Sequence, residues 1–547
     1  MTMKLKNIFS AVAAAAMLTA CVGDLNTIPL NETDVTSETA YGADEAGYVQ
    51  GLTKIYFQLV SNNTQDLQVA DGGASEFIRA FWSTQEVTAD AAKCAWGDAW
   101  VNDLNNNTWK GDVLNDAVYA VYVRTLQGIT YVNEYLRQTS DANLDLRGCS
   151  ADVKAKVQEY RAEARFLRAF FYWAAMDTFG QVPFSTENTQ FGGGYNPPQA
   201  PAAEIFNFIV SELNDLASDG SAMPAAQSNY PRADKGSVLG LLARVYLNAE
   251  VYTGTAMWTE AKATCERIYG LGYGLAKEHF HLFRGDNGEN PDTRKEMLFA
   301  AAYDAENTQS YGGTTYLTLS TLNGDDGAVN ITGINGGWAG NRVPYEYVQK
   351  FFTDVKNQNY ETGAYDYTDK RASYFYIKGR SESMEGNINT FLNGWSCIKF
   401  NNVPHDMDAV DYAATAATKN FSDIDWPLIR LGEIHLIYAE ACAALGDVTP
   451  AVTGLQALAA RVDATVPEPA QITNDWLFAE RARELMWEGH RRTDLIRYGK
   501  WISGYNWTYK GGNFGGQDLP EHFNVFPVPS TELATNLDLQ QNPGYAR

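Results

Sequence analysis

The sequence predicts a mainly α protein: a helical-repeat scaffold interrupted by an irregular, loop-rich insertion containing short strands. Three observations lead there. Long stretches on either side of the insertion repeat apolar residues every three to four positions, the period of a helix with one buried face. Between them, residues 271–425 are rich in Gly, Asn, Asp and Tyr and carry only short alternating runs. Small residues also recur at a spacing that lets two helices approach closely.

In chain order, Lys4 and Lys6 precede an apolar body from Ile8 to Met17, and Leu18-Thr19-Ala20 leads into Cys21. That body is about ten residues, against the roughly 20 that cross a bilayer as a helix, so residues 1–20 read as a secretory signal peptide. Cys21 after Leu-Thr-Ala resembles the lipobox of bacterial lipoproteins, where the thiol is acylated and becomes the new first residue. Residues 21–45 are then a polar, lipidated tether, its acyl chains supplying about 0.8 kcal/mol of membrane affinity per buried methylene. Losing Lys4 and Lys6 with the leader takes the formal net charge from −24 to −26. Such a surface is repelled by nucleic acid and by anionic headgroups. The reading is therefore no nucleic-acid partner, and membrane contact through the anchor only.

Residues 46–270 form the N-terminal helical part. Two helical patterns fill 46–138, separated by "KCAWGDAWVNDLNNNTWKGD", the second running from about Leu114 to Arg137. "VKAKVQEYRAEARFLRAFFYWAAMDTFG" predicts a long amphipathic helix closing at Gly180, and "PAAEIFNFIVSELNDLAS" another, with Pro201 suited to its first turn. "DKGSVLGLLARVYLNAE" and "WTEAKATCERIYGLG" follow as a pair. Within the insertion, "TTYLTLS" and "SYFYIKG" alternate as short strands do. Helices return in 426–547 with "PLIRLGEIHLIYAEACAALGD", "VTPAVTGLQALAARV" and "DWLFAERARELMWEGHRRTDLIRYGKW", before an extended tail. Ala439 and Ala451 stand twelve apart, with Leu455 and Leu458 continuing the second apolar face, as in a tetratricopeptide-like repeat. Ala243, Tyr246, Ala261 and Ile268 give the 235–270 pair similar content.

No nucleophile elbow, zinc-protease helix, P-loop or dinucleotide fingerprint occurs, and neither a cofactor nor a metal is expected. Cys94, Cys149, Cys265, Cys397 and Cys442 lack metal-ligand spacing. Cys265 and Cys442 lie on apolar helix faces and read as core residues. One disulfide elsewhere is compatible with an exported chain, its pairing open. "EHFH" (His279, His281) reads as a surface turn, and "NGDDG" (Asn323 to Gly327) as an acidic turn. In "ERARELMWEGHRR", Glu480, Arg483, Glu484, Glu488, His490 and Arg491 are spaced for ion pairs that lock helices and turns, not for catalysis.

Four stretches in order resemble the SusD/RagB family of outer-membrane lipoproteins: "AEARFLRAFFYW…FGQVPF", "WPLIRLGEIHLIYAEA", "AERARELMWEGHRRTDLIRYGK" and "FPVPSTELATNLDLQQNPGY". The resemblance implies tetratricopeptide-like units carrying an irregular ligand-binding region. It further implies surface capture of glycans, less often peptides, and a TonB-dependent β-barrel transporter of the SusC type as partner, over which the lipoprotein acts as a lid.

The sugar-site candidates are aromatic. A pyranose stacks its CH-rich face on Trp or Tyr, while its hydroxyls need polar neighbours. "AWGDAW" supplies Trp96, Asp98 and Trp100; "YGGTTY…NGGWAGNR" supplies Tyr311, Tyr316, Trp338, Asn341 and Arg342. Gly-flanked aromatics have little local helix or strand to bury them. The leading function is a non-catalytic, cell-surface glycan-binding lipoprotein that passes oligosaccharides to a SusC-like transporter. The alternative is a peptide-binding or assembly lipoprotein, since the concave faces of helical repeats also hold peptides.

Overall fold

The structure is a computed structural model and describes residues 40–547 apart from 63–66, 68, 70, 191, 193 and 416–418. The signal peptide, Cys21 and most of the tether lie outside the described residues.

The helical periods become helices, several of them opened by a side-chain cap on the first amides. In order come α1 (Ala46–Val60), α2 (Phe77–Trp82), α3 (Ala99–Asn106), α4 (Asp116–Gln138), α5 (Ala151–Phe179), α6 (Ala202–Leu216), α7 (Lys235–Leu247) and α8 (Trp258–Tyr269). Asn115 caps α4, Ser150 caps α5, and Asp234 with Ser237 forms a capping box on α7. α5 stops at Gly180, whose φ of 71° lies in the left-handed half of backbone space. Each of α4 to α8 packs on the next, and α8 packs on α10 (Leu431–Ala444), which contacts α11 (Val452–Ala460). Ala243, Ala261, Ala439, Ala451, Leu455 and Leu458 are all buried in these contacts, so the small-residue spacing does mark helix pairs.

The region between the helical halves is an excursion with joined ends. β2 (Met297–Ala301) and β6 (Trp426–Arg430) pair antiparallel, Trp426 opposite Ala301 and Arg430 opposite Met297. Inside it β4 (Phe375–Ser381) pairs with β5 (Gly394–Cys397). "SYFYIKG" thus contributes a strand, whereas "TTYLTLS" forms helix α9 (Gly313–Leu319). The alternation there carries no signal because every residue of α9 is buried, apolar and polar alike. Thr314 donates to the Ile424 carbonyl (2.9 Å) and Thr318 back to Thr314 (2.8 Å).

The last long helical pattern is two helices, α12 (Asn474–Glu484) and α13 (Arg491–Arg497). Trp487 (φ 64°) and Gly489 (φ 79°) break it, and buried charge pays for the break. Glu488 is held by Arg430 and Lys399 (2.7 and 2.6 Å), and Glu484 by Arg430 and Arg461 (2.7 Å each). Arg371 reaches Glu480 at 2.7 Å and Arg491 reaches Asp90 at 2.7 Å. Arg371 and Lys399 come from the excursion, Glu480, Glu484 and Glu488 from the C-terminal half, so one network locks the loops to the scaffold. His279 belongs to it: fully buried, it shares a hydrogen bond with the Tyr374 hydroxyl (2.8 Å) and lies 3.4 Å from Glu484. "EHFH" is therefore not a surface turn, because its first histidine plugs the network. In "NGDDG", Asp326 is committed to Arg380 at 2.6 Å. The five described cysteines are buried free thiols. Among the described residues no helix is long and apolar enough to cross a membrane.

Candidate functional site

Four of the sequence-derived candidates converge. Trp96, Asp98, Tyr311 and Trp338 line one open cleft of about 260 Å³ together with Asp71 and Arg79. The Trp96–Asp98 and Trp338 segments meet there because β1 (Lys93–Cys94) pairs with β3 (Asn341–Arg342), Lys93 opposite Arg342 and Cys94 opposite Asn341. The pairing extends one residue further, the Ala95 amide donating to the Gly340 carbonyl (2.8 Å). That sets the Trp96 indole against the 338 loop, where its Nε1–H donates to the Trp338 carbonyl at 2.9 Å. Asn389 braces the far side, its side-chain amide donating to the Trp96 carbonyl (3.0 Å) and to Asn102 (3.2 Å). Position 340 has to be glycine: a Cβ there would stand 2.9 Å from the Trp96 ring.

Tyr311 is the exposed ring, at 53%. It lies tilted against Trp338 (centroids 6.1 Å apart) and against Phe421 (5.1 Å). Its loop is pinned from behind by Ser310, whose hydroxyl donates to the buried Glu76 carboxyl, as does the Tyr303 hydroxyl. Burial pushes Glu76 up to about 8, those hydroxyls and Arg79 pulling the other way. Arg79 sits beneath the cleft, its guanidinium 4.4 Å from the Tyr316 ring and 5.3 Å from the Trp96 ring, and it holds the half-exposed Asp71 carboxylate at 2.6 Å. The surface thus offers two indole rings and a phenol ring for stacking, with the Asp71 and Asp98 carboxylates at the edge to accept hydroxyl protons.

The other four candidates are corrections. Trp100 lies one residue inside α3, which starts at Ala99, so it turns into the core and is buried. Tyr316 is on α9 and not on a loop; its hydroxyl donates to Asn341 (3.2 Å) under the platform. Asn341 and Arg342 are the two residues of β3, both buried. Asn341 donates to Ser320 (2.8 Å), and Arg342 donates to the carbonyls of Thr390 (2.6 Å) and Ile388 (2.7 Å). These side chains build the site without facing it. Sequence reasoning missed Asp71, Arg79, Phe421 and Asn389. The one available signal was "FIRAFW", where an arginine inside a short apolar helix has to find an aromatic or acidic partner.

A larger apolar groove of about 310 Å³ runs beside α1, past Phe57 and Ala300. Its one charged side chain, Arg232, is committed to Glu163 at 2.5 Å, which leaves nothing charged to orient sugar hydroxyls. Asp286, His405 and Asp406 have ligand atoms within 4.8 Å of one another, but Asp286 and His405 already bond each other.

Comparison with known proteins places the chain as a whole. Residues 295–545 match the model described as "SusD family", and residues 58–247 match "Starch-binding associating with outer membrane". The chain is 29% identical to the starch-binding protein SusD of Bacteroides thetaiotaomicron, with all of both chains covered. Among solved structures, a SusD superfamily protein from Parabacteroides distasonis superposes with a TM-score of 0.68 at 19% identity, covering 94% of this chain and 100% of the other. Surface glycan-binding protein A from Bacteroides uniformis gives 0.66 at 18% identity, covering 91% and 99%. With two family models in sequence order, full-length similarity and a shared fold, the chain belongs to the SusD family.

Proposed function

We propose that this protein is a non-catalytic glycan-binding lipoprotein that captures oligosaccharides on Trp96, Tyr311 and Trp338 and passes them to a SusC-like TonB-dependent transporter. The observation that carries the reading is the convergence of three rings from distant segments on one open cleft with carboxylates at its edge. The ligand class is supported by relatives named for binding starch and glycans, so α-glucan oligosaccharides are the first ligands to test. Cys21 would tether the protein to the outer membrane, in keeping with the family description. The clustered acids and arginines of the "ERARELMWEGHRR" block support a binding role over catalysis, since they are consumed in buried ion pairs.

Isothermal titration of the detergent-purified full chain with maltooligosaccharides tests the site. Trp338→Ala and Trp96→Ala should each lose about 2 kcal/mol of binding, the size of an interface hot spot. Unchanged affinity in both folded variants would remove this platform. Co-isolation with a large TonB-dependent barrel after mild extraction tests the hand-off, and recovery of the lipoprotein alone would count against it.

A further inference from the structure

Away from the platform, Phe280 of the turn His279–Phe283 lines a further cavity of about 190 Å³ with Arg284, Tyr374 and Lys399. Its charged lining is uneven. Lys399 is spent: fully buried, it donates to Glu488 (2.6 Å) and to the Met486 carbonyl (2.7 Å). The Tyr374 hydroxyl is spent on His279. Arg284 is not. Its half-buried side chain makes no hydrogen bond or ion pair among the described residues, and the Asp286 carboxylate acts on it only at longer range. Neighbouring Arg371, Arg430 and Arg461, by contrast, each hold two or more carboxylates. The Asp286 carboxylate forms no ion pair with it and bonds the backbone amide and ring of His405 instead. Desolvation holds the Arg284 guanidinium below the usual arginine range, outweighing the pull of Asp286, as expected of a cation taken partly out of water without a paired counter-charge.

We propose that this cavity binds the carboxylate of a single acidic sugar, a hexuronate, with Arg284 as the bidentate donor. An unpaired guanidinium presents a planar fork that matches a carboxylate. Beside it the half-buried Phe280 ring gives the apolar wall a pyranose face needs, and Ser373 stands at the same mouth for a ring hydroxyl. The volume lies below the roughly 300–1,000 Å³ of drug-sized pockets, so it admits one ring and not a chain. The site is separate from the aromatic cleft and stands or falls independently of it.

The test is titration of the detergent-purified full chain with sodium glucuronate, glucose and sodium acetate. Glucuronate should bind saturably, glucose not detectably, and acetate at least tenfold more weakly than glucuronate. Arg284→Gln should weaken glucuronate at least tenfold, Arg284→Lys should fall between, and Trp338→Ala should leave it unchanged while losing maltooligosaccharide binding. Thermal unfolding of each variant confirms a folded protein. No saturable glucuronate binding, or equal binding by folded Arg284→Gln, overturns the site. Acetate binding as tightly as glucuronate overturns the sugar assignment.

Discussion

Whether a side chain serves the ligand or the fold is decided by a few ångströms of backbone. Trp96 and Trp100 are four apart in one motif, yet Trp96 edges the cleft and Trp100 is 8% exposed because a helix begins between them. The two kinds of residue should fail differently. Arg342→Ala would strip donors from a buried carbonyl at Ile388 and a part-buried one at Thr390, and charge-assisted bonds of this kind contribute about 1.5–3 kcal/mol. A lower melting temperature with unchanged maltooligosaccharide affinity in the folded fraction is expected, the opposite of Trp338→Ala. A weakened ligand at unchanged melting temperature would put Arg342 back at the surface.

At the scale of elements, the cleft depends on the β1–β3 pair and the brace at Asn389. Gly340→Ala inserts a methyl group at 2.9 Å from the rigid Trp96 indole, which has to swing out of the platform. We expect maltooligosaccharide affinity to drop at least tenfold with little loss of stability, read by paired titration and thermal melts; wild-type affinity would show that the ring tolerates the shift. Much of this architecture was legible in sequence. The periods of α4 to α8, the stop at Gly180 and the twelve-residue spacing of Ala439 and Ala451 report local physics. The candidate aromatics Trp96, Tyr311 and Trp338 were legible too, and the structure brings them to one cleft. What could not be read was placement. The break at Trp487 and Gly489 follows from Arg430 and Lys399, 58 and 89 positions from Glu488, and the Arg79–Tyr316 contact joins residues on separate helices. "TTYLTLS" misled because its alternation arose in a fully buried helix, where both kinds of residue point into protein.

The whole molecule carries a network of buried charge within its apolar core, and that gives stability a defined pH profile. Burial alone would raise Glu488, but Arg430 and Lys399 overcome it and bring the carboxyl down to about 2; Glu484 lies well below the usual range for like reasons, with His279, Arg461 and Arg430 around it. An acid depressed on folding contributes stability that is fully present above its unfolded value of about 4.3 and is lost as pH falls toward the folded value. Glu76 and Glu86 act in the opposite sense. Burial raises both to about 8, so their share is present below about 4.3 and is lost as pH rises through 8. The melting temperature should therefore fall as pH drops from about 4.5 to 2, and these two acids should also lower it as pH rises from about 4.5 to 8. Glu488→Gln, which leaves Lys399 and part of Arg430 buried without their partner, should cost about 3–5 kcal/mol at neutral pH and flatten the acid limb. A flat melting temperature between pH 5 and 3 would refute the network's role.

The pairing of β2 with β6 has an evolutionary reading. Because the excursion leaves and re-enters the scaffold at one strand pair, changes in its length need not disturb helix packing, and loop closure grows more costly only slowly with length. The platform is nonetheless not a self-contained cassette. Tyr311 and Trp338 lie inside the excursion while Trp96, Asp71 and Arg79 belong to the N-terminal half, and Arg371 and Lys399 have to meet acids on the C-terminal half. Transplanting residues 302–425 onto a related scaffold would carry two of the three rings and two of the anchoring cations. Specificity in such a protein is inherited jointly, so a graft succeeds only where the recipient already presents the third ring and the matching glutamates.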